Sequence, residues 1–166
     1  MESESVRIIA GREEDVPIIL GLIKGLAEFE QLSHEVVVTE ADLRASLFGD
    51  TKTAEVVLAF TGENAIGFAV FFTNFSTFLG RPGLYLEDLF VVPEWRGRGI
   101  GRELLAYLAA LAVERHYGRM EWAVLDWNAH AIRFYERLGA RLLPDWRIYR
   151  VTGDALTRIA STGRHA

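Results

Sequence analysis

Cysteine is absent from this 166-residue chain, which excludes disulfides, cysteine-ligated metal sites and a thiol nucleophile. Histidine is scarce and dispersed: His34, His116, His130 and His165 show no zinc-type spacing, so no metal is expected. No Gly-x-Ser-x-Gly elbow accompanies them, which removes support for a Ser-His-Asp hydrolase. Basic residues are outnumbered and the formal net charge is -5, which argues against a nucleic-acid partner. No apolar run reaches the roughly 18 residues of a membrane helix, so no membrane association is expected. The opening Met1-Glu2-Ser3-Glu4-Ser5 is acidic and polar rather than leader-like, and a cytoplasmic location is the default expectation.

What is present suits one packed core. Half of the residues are hydrophobic, and the length fits a single domain over 1–166, with 1–5 and about 154–166 as peripheral tails. Val6–Ile9 reads as a strand. Glu13-Glu14-Asp15 opens a helix carrying Ile19, Leu22, Ile23, Leu26 and Phe29 as its buried stripe. Thr39 and Asp42 form a capping box for a second helix to about Phe48. Ala54–Phe60 and Ala65–Thr73 flank the hairpin signal Thr61-Gly62-Glu63-Asn64. Asn74–Gly83 reads as a loop and Leu84–Val92 as a strand. A helix follows with Ile100, Leu104, Leu105, Leu108 and Leu111 on one side. Then come a strand at Arg119–Leu125, a helix at Asn128–Leu138 ended by Gly139, and a last strand at Trp146–Val151. Beyond Gly153 the chain reads as a tail with at most one helical turn. The expected fold is mixed α/β: one central mixed sheet with helices on both faces.

The turn Arg96-Gly97-Arg98-Gly99-Ile100-Gly101 joins a strand to an amphipathic helix. Glycines let backbone approach a ligand, and a helix N-terminus offers free N–H groups, a pairing suited to a pyrophosphate. Taken alone, the same turn is equally compatible with solvated arginines in a tight connection. A Walker loop is ruled out because Gly101 is followed by Arg102-Glu103 rather than Lys-Ser/Thr. A Rossmann fingerprint begun at Gly97 would need glycine at Arg102.

Arg96-x-x-Gly99-x-Gly101 resembles the acetyl-CoA signature of the GNAT superfamily of N-acetyltransferases. Tyr85-Leu86-Glu87-Asp88-Leu89-Phe90-Val91 before it resembles the spermidine/spermine (diamine) acetyltransferase branch. So does Trp127-Asn128-x-x-Ala131-Ile132-x-Phe134-Tyr135-x-x-x-Gly139-Ala140 after it. The resemblance implies an N-acetyltransferase with acetyl-CoA as cosubstrate, working as a homodimer on a small amine. It implies that Leu89, Phe90 and Val91 pair with the pantetheine arm. It implies that Arg96, Gly97, Arg98, Gly99, Ile100, Gly101 and Arg102 hold the pyrophosphate, and that Asn128 and Ala131 line the cofactor's far side with Tyr135.

Acetyl transfer needs a neutral amine, yet a free alkylamine has a pKa near ~10.4, so a base is required. Glu87 lies mid-strand among apolar neighbours, and strict alternation puts it on one face with Tyr85, Leu89 and Val91. By position alone it is either a solvated surface charge or a working carboxylate; the resemblance makes it the base. By periodicity Tyr135 is a core residue spaced by threes with Ile132 and Leu138; the resemblance makes it the acid that protonates the leaving thiolate. Without cysteine the acetyl group passes directly to the amine.

Substrate-binding candidates are Phe29, Glu30, Glu87, Asp88 and Trp122, which combine carboxylates with aromatic faces for an ammonium group. Glu28 and Asp145 add acid, and Phe78 and Trp146 add aromatic surface. Where polyamine enzymes carry an acid and a Trp in the loop before Tyr85, this chain aligns Ser76 and Phe78, followed by a Pro82-Gly83 insertion. That departure favours thialysine- or lysine-like amino acids over long polyamines. A protein N-acetyltransferase and a non-catalytic acetyl-CoA-binding module are the alternatives.

Overall fold

The computed structural model describes residues 5–163; Met1–Glu4 and Arg164–Ala166, with the opening acidic segment and His165, lie outside the described residues. Contacts divide the chain into two compact units, the first ending at Ala123 and the second beginning at Val124.

The first unit is built on a five-stranded sheet in the order β1 (Val6–Ala10), β2 (Glu55–Thr61), β3 (Asn64–Ser76), β4 (Arg81–Val91) and β5 (Met120–Trp122). The first four strands pair antiparallel in sequence order, and β5 joins β4 in parallel. Helices α1 (Val16–Phe29), α2 (Glu40–Phe48) and α3 (Ile100–Glu114) complete the unit.

Side-chain alternation sends β2 and β3 residues to opposite faces. Val56, Leu58, Phe60 and Phe68 join Val16, Ile19, Leu22, Leu43 and Leu47 in one buried cluster, so α1 and α2 cover that face. A Cβ on Gly67 would lie 3.4 Å from Leu104, which places α3 against the other face. Leu104 and Leu108 are fully buried, as their spacing requires. Phe68 and Phe90 meet edge to face at 6.4 Å, and each buried aromatic ring contributes about 1.5–3 kcal/mol.

Local signals explain most boundaries. Asp42 N–H donates to Thr39 Oγ1 at 3.2 Å, and Thr39 N–H donates to Asp42 Oδ2 at 2.8 Å, the expected reciprocal cap of α2. A 3-10 turn at Glu13–Asp15 precedes α1, and Arg12 N–H donates to the buried Asp15 carboxylate at 2.8 Å. Bidentate hydrogen bonds of 2.6 and 2.7 Å join Arg115 to Glu55.

Three expectations for this unit are corrected. Asn74–Gly83 is not a loop: β3 runs on to Ser76 and β4 begins at Arg81, with Phe75 opposite Pro82. The apparent breaker Pro82 sits near a strand end, where a missing donor is tolerated. Only 77–80 turn. The Arg119–Leu125 strand contracts to Met120–Trp122. The β4 alternation is also broken, as described below.

The second unit contains α4 (Ala129–Arg137) and α5 (Gly153–Thr162). Gly139 ends α4 with φ 91, the left-handed conformation expected of it. Trp146–Val151 is not a strand, and Ile148 and Tyr149 there are 78% and 89% exposed. The segment after Gly153 holds a ten-residue helix instead of one turn. Among the described residues no helix is long and apolar enough to cross a membrane.

Candidate active site

The site begins where β4 and β5 part. They pair over Leu84↔Met120, Tyr85↔Glu121 and Leu86↔Trp122 only. From Glu87 onward β4 has no β5 partner, which leaves an opening in the sheet.

Across its other edge β4 pairs with β3, and the register slips at the same point. Leu86 faces Phe71 and Asp88 faces Val70, so Glu87 is the extra residue of a β-bulge. The bulge overturns the expectation that Glu87 shares a face with Tyr85, Leu89 and Val91. Tyr85, Asp88 and Phe90 now lie on the α1 face, and Leu84, Leu86, Leu89 and Val91 on the α3 face. Sequence reading missed this, although the apolar spacing offered a signal: it widens from two residues (Leu84, Leu86) to three (Leu86, Leu89). Bulges re-aim side chains, and here the displaced residue is the exposed carboxylate of Glu87.

Electrostatics around the bulge are acidic and partly dry. Burial, then the charges of Glu87 and Glu30, push the Asp88 carboxyl up to about 6. Burial also raises Glu30 at the end of α1. The Tyr85 phenol is raised by burial, then by Glu87 and Glu121. Tyr85 stacks on Phe72 at 5.1 Å. Trp122 is half-buried at the last parallel pair, and Phe29 lies exposed at the end of α1.

The glycine turn follows β4 through a 3-10 turn at Pro93–Trp95. Gly97 and Gly99 have φ 74 and 87, conformations that favour glycine, and a Cβ on either would meet no atom within 4 Å. Gly99 is the N-cap of α3 and, among the described residues, no side chain caps the helix, so its leading N–H groups are left for another acceptor. Ile100 is buried, anchoring the helix start, while Arg102 is exposed. The Arg98 guanidinium lies 4.6 Å from the Trp95 ring. Arg96 donates through Nε to the Val91 carbonyl at 2.9 Å and lies over Phe29 and Phe90.

In the second unit Asn128 caps α4, its Oδ1 accepting from the Ala131 N–H at 3.2 Å. Tyr135 is half-buried on that helix, its ring 5.3 Å from Phe134. Asp145 and Trp146 are exposed there. In the first unit Ser76 accepts from Leu79 N–H at 3.2 Å, a turn-forming role, and Phe78 stands 97% exposed at the hairpin tip. A shallow depression lined by Lys24, Glu28, Ser33 and Val36 lies along α1 and the segment after it. Among the described residues no group of His, Asp and Glu could hold a metal ion.

A mixed sheet that opens beside a bulged strand and feeds a glycine-led helix is an arrangement suited to a phosphate-bearing ligand. The chain belongs to the acetyltransferase (GNAT) family, whose pattern it matches over residues 23–140. It is 37% identical to a thialysine N-epsilon-acetyltransferase from Mus musculus, over 94% of this chain and 98% of that protein. It is 33% identical to an L-ornithine N5-acetyltransferase from Arabidopsis thaliana, over 92% and 87% respectively. Among solved structures, an integron cassette protein from the V. cholerae mobile metagenome superposes with a TM-score of 0.79 at 28% identity, covering 94% of this chain and 98% of that one. The protein is thus an acetyl-CoA-dependent N-acetyltransferase, with the mixed α/β fold expected of it.

Proposed function

We propose that the enzyme acetylates the side-chain amine of a small basic amino acid, with the β4 bulge as its chemical centre. The observation that carries this reading is the coincidence of the last β4–β5 pair, Leu86↔Trp122, with the bulged Glu87. The open β4 edge at Leu89–Val91 has backbone groups suited to the pantetheine arm, and the Gly97–Arg102 turn suits the pyrophosphate. Phe29, Glu30, Asp88 and Trp122 receive the ammonium group. Glu87 removes its proton, directly or through water, and the neutral amine attacks the thioester carbonyl. The tetrahedral intermediate collapses, the C–S bond breaks, Tyr135 protonates the departing thiolate, and the second proton shed by the acylated nitrogen restores the phenol. Asn128, which caps α4, and Ala131 in its first turn flank the coenzyme in this scheme.

The β3–β4 hairpin bears on substrate size. Ser76 is spent on a turn hydrogen bond, and no acid stands there to hold a second ammonium group. The names of the two relatives, thialysine and ornithine acetyltransferases, point the same way. A panel of thialysine, ornithine, lysine and spermidine, followed by release of free CoA thiol, tests the reading. An amino acid is expected to give the highest kcat/KM; spermidine exceeding all three by tenfold or more overturns it. A cytoplasmic homodimer belongs to the same proposal, and sedimentation to a monomer at high concentration counts against the dimer.

A further inference from the structure

The glycine turn carries three arginines with different surroundings, and one of them reaches beyond the turn. Arg102 is exposed on the first turn of α3, and Arg98 stacks on Trp95 within the turn itself. Arg96 instead reaches out of the turn. Its Cζ lies 4.4 Å from the Phe29 ring centroid and 5.3 Å from that of Phe90, and its Nε donates to the Val91 carbonyl at 2.9 Å.

We propose that Arg96 is a positioning residue rather than a pyrophosphate ligand, clamping the end of α1 to the β4–α3 connection so that the amine side and the coenzyme side are held in one geometry. This rests on the site proposed above, with Phe29 and Glu30 at the amine and Leu89–Val91 at the pantetheine.

Phe29 is the last residue of α1, and Phe90 and Val91 belong to the β4 stretch beyond its pairing with β5. One guanidinium therefore touches both substrate sides. A planar cation that covers aromatic rings while donating in its own plane is a task for arginine that lysine does not reproduce. Arg96 keeps an exposed outer surface, and the partial dehydration of the rest lowers its pKa, with the charge of Glu94 opposing. Small displacements of a reacting group cost large factors in rate, so a clamp of this kind acts on catalysis without touching either substrate.

The test uses the full chain, two acetyl donors and a coupled pair of substitutions. Acetyl-CoA and S-acetyl-pantetheine share the thioester and the arm, but only the first has the pyrophosphate. Arg96→Gln is expected to raise the amine KM and lower kcat/KM about tenfold, the scale of a cation–π contact. The loss should be equal with both donors and accompany an almost unchanged Kd for acetyl-CoA. Arg96→Lys should behave like Arg96→Gln. Phe29→Leu should lose a similar factor, and the double variant should be no worse than the poorer single one. A loss seen with acetyl-CoA but absent with S-acetyl-pantetheine, restoration by Arg96→Lys, or losses that multiply in the double variant would each overturn the proposal. The wild-type ratio of the two donors tests the site reading separately. Equal kcat/KM for both refutes pyrophosphate binding at the turn and leaves the Arg96–Phe29 cycle readable.

Discussion

Leu86 and Trp122 form the last pair between β4 and β5, and the residue after Leu86 is already displaced from the β3 ladder. One peptide step thus ends pairing on one side of the strand and bulges it on the other. A carboxylate at that step is free of the strict in-out alternation that governs the rest of β4.

Glu87→Gln tests what this placement does. If Glu87 takes the amine proton, the variant loses most activity at low pH. It recovers as pH climbs toward the amine's own pKa near ~10.4. A profile of kcat/KM against pH checks this. A pH-independent rise in amine KM alone assigns Glu87 to binding rather than proton transfer.

Gly99 separates conformation from binding. Its φ of 87 makes alanine costly by roughly 1–2 kcal/mol, yet no atom lies within 4 Å of the added Cβ. Gly99→Ala should therefore lower the Tm while keeping measurable acetyl-CoA affinity. Gly99→Glu should lose that affinity by setting a negative charge against the pyrophosphate. Calorimetry showing unchanged affinity in folded Gly99→Glu moves the phosphate site elsewhere.

Asp88 gives a pH signature of stability. Its folded pKa of about 6 lies above the usual aspartate value near ~3.9, so between these pH values the folded chain holds a proton that the unfolded chain has released. Stability from this group therefore falls as pH rises from about 4 to about 6 and stays low above. Asp88→Asn should stabilise the protein by about 1–2 kcal/mol at pH 7.5 and by almost nothing at pH 4. Denaturant melts at the two pH values decide. A variant no more stable than wild type at pH 7.5 shows that the carboxylate is compensated there.

Tyr135→Phe removes one hydroxyl and leaves the ring. A general acid lost in this way costs about 10²–10⁴-fold in kcat. The Kd of acetyl-CoA should barely change, because the hydroxyl acts as the thiolate leaves. Near-normal kcat across pH removes Tyr135 from the acid role.

Most of the first unit was legible because its signals are local. The Thr39–Asp42 box, the α1 stripe from Ile19 to Leu26 (though not Phe29, which is exposed), the α3 stripe and the two-residue turn at Gly62-Glu63 are each written within a few positions. The glycine turn was legible for the same reason: Gly97 and Gly99 both take positive φ. What escaped depends on partners distant in sequence. The β3–β4 hairpin continues through Pro82 and Gly83 because Phe75 and Asn74 stand opposite them, which composition cannot show. Trp146–Val151 is rich in aromatic and β-branched residues, but the structure gives it no ladder to join. Propensity without a partner does not make a sheet. The Arg96 contacts also escaped, because they join positions 29, 90 and 91 to one side chain.

Helix α3 begins on a glycine with no side-chain oxygen to receive its leading amides. Hydrogen exchange turns that uncapped start into a test of the proposed anion site. The N–H groups of Ile100, Gly101 and Arg102 should exchange rapidly in the ligand-free protein and slow sharply once an anion seats against them, while amides deeper in α3 barely respond. Protection of this first turn tests coenzyme binding at the proposed site independently of any chemistry.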